Sequence, residues 1–214
     1  RTLTLTVYGD MDVSRLDEKP PGRTPVDTRI MALNRLEEVV SAASRAIQEG
    51  ARLYWVCPLV EESEVLDLAA AEERYRHLSQ IFGDRVGLVH GKMKAKEKDE
   101  VMNRFSSGEI DILVATTVIE VGVNVPEATV MIIEYAERFG LSQLHQLRGR
   151  VGRGSDKSTC LLLYGTALGK TAKARLSIMR ETEDGFIISE EDLKLRGAGE
   201  VLGTRQSGLP KFKI

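Results

Sequence analysis

The sequence contains few cysteines, which limits the chemistry that it can carry. Only Cys57 and Cys160 are present among its 214 residues, and each lies inside an apolar run that reads as a strand. Neither has a neighbouring cysteine or histidine at a spacing typical of a metal site. We therefore expect two buried, reduced thiols and no metal centre.

Long apolar runs are also missing. No run is long enough to cross a membrane, and no signal peptide is visible at the start of the chain. We therefore expect a cytosolic protein with no membrane partner. A content of 42% hydrophobic and 29% charged residues is that of an ordinary globular protein, which can bury a full core.

Charge of one sign is not in excess, since the formal net charge is −2, and the total gives no hint of a nucleic-acid partner. The distribution is more informative. The stretch from Leu141 to Arg180 holds eight Lys or Arg and one Asp, whereas Glu181 to Glu200 holds seven acids and two basic residues. This segregation predicts a basic working surface beside a solvated acidic segment.

Several catalytic signatures are absent as well. The sequence has no G-x-x-x-x-G-K-[ST] loop to cradle phosphates and no Asp-Glu box to hold magnesium and a water. No nucleophile–base pair or metal cluster is visible either, which argues against a self-contained α/β enzyme. The chain begins without methionine and in mid-pattern, so we expect it to be a piece of a longer protein.

Short apolar runs alternate with segments of helical spacing along most of the chain. We predict strands at 53–58, 86–90, 111–115, 130–135 and 159–164, with helices between them, among them 94–107 and a segment ending near 82. Strands that alternate with helices predict a parallel sheet covered on both faces. Because ligands of such sheets bind at the carboxyl ends of the strands, the segments that follow 90, 116 and 135 should converge on one edge.

The two ends of the chain have different patterns. Residues 1–8 alternate Thr with apolar residues, as in a half-buried strand, and the prolines in 16–27 predict a linker. Residues 29–50 have apolar positions at helical spacing and predict a helix that ends at Gly50. After a basic helix at 166–182, the chain turns at 183–185 and a second helix, capped by Ser189, reaches Arg196. These two helices predict a hairpin appended to the sheet.

The most informative stretch is LSQLHQLRGRVGRG, from Leu141 to Gly154. It places Arg148, Arg150 and Arg153 within six residues and separates them with glycines that let a polyanion approach the backbone. A guanidinium is always charged and matches phosphate oxygens with a planar fork. A helix C-terminus with cations at its negative end would explain only one arginine and one glycine. We therefore favour anion recognition.

Two further segments follow predicted strands. In ATTVIEVGVNVP, from Ala115 to Pro126, the hydroxyls of Thr116 and Thr117 can cap a short helix or donate to a phosphate, and Asn124 is either a ligand contact or a turn stabiliser. His90-Gly91-Lys92 reads equally well as a close approach to a phosphate chain or as a simple turn.

Together these segments resemble the second RecA-like motor domain of superfamily 2 helicases. Gln146-x-x-Gly149-Arg150-x-Gly152-Arg153 resembles motif VI, 115–126 resembles motif V, and 54–58 with His90-Gly91 resembles motif IV and the strand end after it. The resemblance implies an α/β, RecA-like P-loop NTPase-type fold with a parallel sheet, helices on both faces and a C-terminal helical hairpin. It implies catalytic arginine fingers at Arg150 and Arg153, nucleotide contacts at Gln146, Gly149, Gly122 and Asn124, and nucleic-acid or coupling roles for His90, Gly91, Thr116, Thr117 and Arg148.

The last part of the chain narrows the resemblance. LKLRGAGEVLGTRQSG is similar to the TRG motif of helicases that remodel replication forks, a motif shared with the transcription-repair coupling factor. It assigns coupling roles to Arg196, Thr204, Arg205 and Gln206. The segments Val7–Asp10 and Pro20–Arg23 favour the fork-remodelling class. The implied division is 1–28, a linker and strand from the first motor domain; 29–165, the second RecA-like domain; and 166–214, the hairpin and TRG-type loop.

The resemblance also implies a cofactor and partners. The cofactor is ATP with Mg²⁺, bound mainly by a first motor domain that this sequence lacks. The partners are branched or duplex DNA and, within the parent chain, the N-terminal wedge domain and the first motor domain. The implied location is the cytoplasm of a bacterial-type cell, near the nucleoid. Two alternatives remain open: the same half of a transcription-repair coupling factor, and a non-catalytic helicase-like module that binds nucleic acid.

Overall fold

The sheet is built from strands that are apolar on both faces, because helices cover it on both sides. The computed structural model describes residues 24–58, 64–116, 125–154, 156–165 and 167–196. The strands are β1 (Val26–Ala32), β2 (Arg52–Cys57), β3 (Val86–Val89), β4 (Ile112–Thr116), β5 (Ala128–Ile133) and β6 (Ser158–Tyr164). They pair in the order β1-β6-β5-β2-β4-β3, and every pairing is parallel. The predicted parallel sheet is confirmed.

The described residues form six helices around the sheet: α1 (Leu36–Gln48), α2 (Glu64–Phe82), α3 (Ala95–Ser107), α4 (Leu141–Arg148), α5 (Lys170–Glu181) and α6 (Gly185–Arg196). Short 3-10 turns occupy Leu33–Arg35, Gly83–Arg85 and Ala136–Arg138. One face of the sheet packs against α1 and α2, around Val39, Trp55 and Leu78. The other face packs against α3 to α6, around Tyr54 and Phe105. Helices on both faces give the central strands their continuous burial.

The predicted helix at 29–50 is wrong at its beginning. Residues up to Ala32 belong to β1, and the helix begins only at Leu36. Arg29, Ile30 and Met31 pair with Leu161, Leu162 and Leu163 of β6. Backbone pairing with a distant strand therefore overrides a local spacing that also suits a helix. The strand includes Val26 and Asp27, which were predicted to be linker, and spans the predicted domain boundary at 28.

The predicted helical hairpin is present, but the cap of its second helix was assigned to the wrong residue. Helix α6 begins at Gly185, and Asp184 Oδ1 accepts hydrogen bonds from the backbone N–H groups of Phe186 (2.7 Å) and Ile187 (3.4 Å). Ser189 lies one turn inside the helix and donates to the carbonyl of Gly185 (2.8 Å). An aspartate at this position is as good a cap as serine, and it adds one hydrophobic turn to the helix.

Both cysteines are free and buried, as predicted. Burial raises the pKa of the Cys160 thiol to about 12 and raises that of Cys57 as well. No helix in the described part of the chain is both long enough and apolar enough to cross a membrane.

A buried ion pair stands where β5 ends. Glu134 is 4% exposed, and its Oε1 accepts from the Trp55 indole N–H (2.5 Å) and from Arg74 Nε (2.5 Å) on α2. Arg74 also donates to Glu134 Oε2 (3.2 Å), and its guanidinium carbon lies 5.8 Å from the Trp55 ring centroid. The pair joins α2 to the carboxyl end of β5. A carboxylate this deep is tolerated because all of its partners are donors.

We predict that Arg74→Met destabilises the fold by about 3–5 kcal/mol, since it leaves the Glu134 charge buried without a cation. Urea unfolding followed by circular dichroism would measure the change. The control is Arg76→Met, an exposed arginine on the same helix, for which we expect a change within about 0.5 kcal/mol. Equal effects of the two substitutions would contradict the assignment.

Candidate functional site

Because all strands are parallel, the functional segments fall on two opposite edges of the sheet. The amino edge holds the starts of the strands, and the carboxyl edge holds their ends. The loop 149–157 connects the end of α4 to the start of β6, so it lies at the amino edge. His90 and Thr116 end their strands, so they lie at the carboxyl edge, as predicted. The two groups of predicted site residues are therefore separated by the length of the strands.

The arginine loop, residues 149–154, is fixed on the starts of neighbouring strands. Gly152 has φ +71, and a Cβ at this position would lie 2.7 Å from Cγ2 of Val26 at the start of β1. Val151 is buried in the core, 2% exposed, in the cluster that contains Tyr54. Gly152 therefore meets both a positive φ and a close approach, which only glycine accommodates. These contacts hold the loop against the sheet between its two arginines, Arg150 and Arg153.

Arg150 and Arg153 flank the buried Val151. Arg153 is exposed, and its Nε donates to the carbonyl of Gly149 (3.1 Å). Arg150 is partly buried. Burial raises the pKa of the Tyr54 phenol in β2, and the positive charges of Arg153 and Arg150 act in the opposite direction, to lower it. The loop therefore carries two positive charges that act on Tyr54 of β2.

In the described residues, the end of the predicted motif V segment reaches this loop. A Cβ on Gly154 would lie 4.0 Å from the carbonyl oxygen of Pro126, just before β5. Residues 117–124 lie outside the described residues, so the predicted positions Thr117, Gly122 and Asn124 have no structural account. Within the described part, the last residues of motif V and the arginine loop meet at the amino edge.

The other two predicted nucleotide residues lie on α4. Gln146 is exposed near the end of the helix. Gly149 caps the helix, and its N–H donates to the carbonyl of His145 (3.0 Å). A Cβ at Gly149 would stand 3.3 Å from the same carbonyl, which is a tight fit. The helix therefore closes compactly before the arginine loop begins.

Arg148 does not face the solvent. It is 3% exposed, and its Nη1 donates to the carbonyl of Met179 on α5 (2.5 Å) and to the hydroxyl of Thr28 on β1 (3.4 Å). Its Nη2 lies 3.4 Å from Nδ1 of His145. Burial lowers the pKa of this guanidinium. Arg148 therefore joins the end of α4 to the helical hairpin from the inside.

The hairpin has other polar connections to the sheet domain. Glu183 accepts a hydrogen bond from the backbone N–H of Val26 at the start of β1. Gly185 packs against the His145 ring, since a Cβ there would lie 3.1 Å from Nε2. In the middle of α5, Arg175 donates to the carbonyls of Phe139 (2.9 Å) and Glu137 (3.3 Å). Helix α5 is thus tied to segments near both edges of the sheet.

The carboxyl edge carries the remaining predicted contacts. Thr116 is buried at the end of β4. His90 is partly buried, and its Nδ1 has no hydrogen-bond partner in the described structure. Gly91 is exposed, with no atom within 4 Å of a Cβ placed on it, and its carbonyl accepts from Lys98 Nζ (3.1 Å). Arg196 is the last residue of α6, but its side chain and residues Thr204, Arg205 and Gln206 lie outside the described residues.

Sequence reasoning missed two elements of this architecture. The Glu134–Arg74 pair is signalled only by an acid directly after a buried strand, which is easily taken for the start of a loop. The connections of Arg148, Arg175 and Glu183 carry no local signal, because their partners are backbone groups far away in the chain. In the part of the chain that the structure describes, no group of three or more His, Cys, Asp or Glu could hold a metal ion.

Comparison with known proteins identifies the class of protein to which this chain belongs. Residues 32–155 match the family described as Helicase conserved C-terminal domain, and because the match spans more than half of the chain, the protein belongs to that family. Residues 182–214 match a second family, ATP-dependent DNA helicase RecG, domain 3, C-terminal.

The particular protein that the chain resembles is RecG. It is 56% identical to the ATP-dependent DNA helicase RecG of Pasteurella multocida (strain Pm70) and 54% identical to that of Escherichia coli (strain K12), each over 100% of this chain and 31% of the relative. A solved structure of RecG bound to a three-way DNA junction superposes with a TM-score of 0.78 at 45% identity, over 99% of this chain and 27% of that one. The chain thus spans about a third of the length of the curated relatives it matches. The predicted RecA-like fold and the resemblance to a helicase motor domain are confirmed.

We predict that Gly152→Ala destabilises the chain by about 1–3 kcal/mol, through its positive φ and the overlap with Val26. The matched control is Gly154→Ala, since a Cβ there meets nothing closer than 4.0 Å, and its change should stay within about 0.5 kcal/mol. Urea denaturation of both variants measures the difference. If Gly152→Ala were neutral, the arginine loop would not be held by this contact.

Proposed function

We propose that this chain is the C-terminal motor half of an ATP-dependent DNA helicase that remodels branched DNA such as stalled forks and Holliday junctions. The observation that carries the proposal is the arginine loop: two guanidinium groups on a glycine-rich turn, fixed at the amino edge of a RecA-like sheet. The similarity to RecG, which extends over the whole of this chain, supports the proposal. The preceding two thirds of such a protein would supply the first motor domain and the wedge domain.

Arg150 and Arg153 are suited to bind the phosphates of a nucleoside triphosphate. The rest of this sequence lacks the other groups that a nucleotide site needs. Their charges act on Tyr54 of β2, with Gln146, Gly149, Gly122 and Asn124 as proposed neighbours of the nucleotide. The sequence has no phosphate-cradling loop and no Asp-Glu box, so the Mg²⁺ and most of the phosphate contacts belong to the first motor domain. When bound there, ATP supplies the phosphoryl group whose transfer to water releases the free energy for movement.

In this mechanism the arginine fingers reach across the cleft between the two motor domains. Their positive charges stabilise the negative charge that develops on the phosphoryl oxygens, and they also make the closed arrangement of the two domains more favourable. Val151 and Gly152, anchored in the core and on β1, keep the fingers from moving independently of the sheet. Closure therefore moves this domain as one body.

Closure of the two motor domains moves the contacts to DNA, which lie at the carboxyl edge of the sheet. His90, Gly91 and Thr117 are the proposed contacts to the phosphate backbone, which carry no sequence information and weaken as salt is raised. Thr116 is buried at the end of β4, so its proposed role is coupling rather than contact. Arg148 supports coupling rather than DNA contact, because its guanidinium is buried between α4, α5 and β1. Through Arg148, the end of the arginine helix is joined to the hairpin, and we assign Arg196, Thr204, Arg205 and Gln206 to the loop that steps along duplex DNA.

Two alternatives are weaker. The same half of a transcription-repair coupling factor would share the motor and the hairpin, but the RecG-specific match at 182–214 favours the fork-remodelling class. A non-catalytic helicase-like module would have no need for two fingers held by a glycine of positive φ and a buried valine. For the RecG-type protein we propose a cytoplasmic location, associated with the nucleoid.

We predict that Arg153→Ala, in the full-length parent, lowers the DNA-stimulated kcat for ATP hydrolysis by about 10³-fold or more, as expected for an arginine finger. The Kd for a forked DNA should change by less than about two-fold, because the finger lies at the edge opposite the DNA. Arg76→Ala, an exposed arginine on α2, is the control and should leave both values unchanged. A collapse of DNA binding in Arg153→Ala would mean that Arg153 contacts the DNA backbone instead.

A second prediction concerns the division of the motor. This chain alone should not hydrolyse ATP, and mixing it with the preceding half of its parent should restore DNA-stimulated turnover. Turnover should be lost again with Arg150→Ala. ATP hydrolysis by this chain alone would reveal a complete phosphate site within it and would remove the basis of the proposal.

A further inference from the structure

In the loop after β5, at the carboxyl edge, the side chain of Arg138 is held in a fixed position. Tyr135 adopts a left-handed conformation with φ +48, which side chains other than glycine and asparagine rarely adopt. Such strain persists only where the surroundings over-determine it, and it is concentrated at functional sites. The Arg138 guanidinium carbon lies 4.6 Å from the centroid of the Tyr135 ring, a cation–π contact.

The surroundings of Tyr135 are built to receive its ring. A Cβ on Gly165, just after β6, would lie 2.3 Å from Cε1 and 2.5 Å from Cδ1 of the ring, so only glycine permits this packing. The Glu137 carboxylate accepts from the Gly165 N–H (3.1 Å), and Arg175 of α5 binds the carbonyls on both sides of Arg138. Three separate contacts therefore fix the backbone that carries Arg138.

Among the charged side chains of this loop, Arg138 is the one that is exposed to solvent. Glu134 is buried and paired with Arg74, and the second oxygen of Glu137 is buried. Arg138 is exposed, and across the described ranges no carboxylate forms an ion pair with it. A guanidinium held over an aromatic ring, with its fork free of acids, is suited to a phosphate diester.

The position of Arg138 fits the proposed path of DNA. Along the carboxyl edge the end of β5 is two strands from the end of β4, where Thr116 lies, and three from His90. Two strand spacings are about 10 Å, the length of roughly three nucleotides of one B-form strand. Lys92 and Lys94, exposed beyond His90, make the far end of the same row basic.

We propose that Arg138, supported by the Tyr135 ring and Gly165, is a further DNA-phosphate contact of this motor domain. It extends the row of strand-end contacts toward the helical hairpin. The inference rests on the proposed function, since it takes DNA as the ligand of the carboxyl edge. The phosphates of ATP are not its ligand, because the arginine fingers lie at the opposite edge.

The test uses the full-length parent protein and a forked DNA, with Kd measured over a series of salt concentrations. Arg138→Gln should raise Kd about ten-fold, the loss typical of one charge-assisted contact. It should also reduce the slope of log affinity against log salt by about 0.9, the value for one phosphate contact to B-form DNA. The Kd for ATP should stay at its wild-type value in Arg138→Gln. Arg45→Gln removes the same charge from an exposed position on α1 and should leave the DNA slope at its wild-type value.

Two further variants separate the charge from its support. Arg138→Lys keeps the charge without the fork, so it should restore the salt slope and only part of the affinity. Tyr135→Leu keeps an apolar group against Gly165 but removes the π face, so it should weaken binding less than Arg138→Gln and leave the slope unchanged. An unchanged slope in Arg138→Gln, an equal loss in Arg45→Gln, or a parallel rise in the Kd for ATP would overturn the inference alone. A wild-type parent that binds no forked DNA would overturn the proposed function and this inference together.

Discussion

The single direction of the six strands decides where each functional segment can lie. In a sheet whose neighbours are all parallel, every strand starts at one edge and ends at the other, and each connecting helix returns the chain to the start. A loop that leads into a strand therefore cannot lie beside a loop that leaves one. The arginine loop precedes β6, whereas His90, Thr116 and Tyr135 follow their strands. The two proposed anion sites, for nucleotide and for DNA, therefore lie on opposite edges of the domain and do not share a surface.

Helix α5 and the turn that follows it connect segments near the two edges of the sheet. Midway along α5, Arg175 holds the carbonyls on both sides of Arg138, and one turn further on the carbonyl of Met179 is held by Arg148. Both arginines use charged donors on backbone acceptors, contacts that are directional and that resist sliding. The hairpin is therefore a continuation of the sheet domain in mechanical terms, although it is built from a different part of the chain.

The sequence predicts the central strands well because their apolar runs are short, continuous and bounded by turn residues. It fails at β1, where Ile30, Leu33 and Leu36 have a helical spacing and only pairing with β6 decides the outcome. The proposed arginine fingers are predicted from their motif alone, since glycines and arginines at fixed spacing are a local signal, and their role stays a prediction. Arg148 belongs to the same motif and points inward, which no local signal reveals, because its partners Thr28 and Met179 lie 120 and 31 residues away. Local chemistry is thus readable, whereas the direction of a long side chain depends on the tertiary packing.

The environment of Trp55 has a spectroscopic consequence. It is the only tryptophan of the chain, it is fully buried in β2, and its indole N–H is bonded to Glu134, the residue before Tyr135. Indole emission depends on the polarity and charge around the ring, and here the nearest charges are those of Glu134 and Arg74. A rearrangement at the end of β5 that displaced Glu134 would therefore change the field at the indole. The chain therefore carries an intrinsic optical probe at its carboxyl edge, and this domain can be followed without attaching a dye.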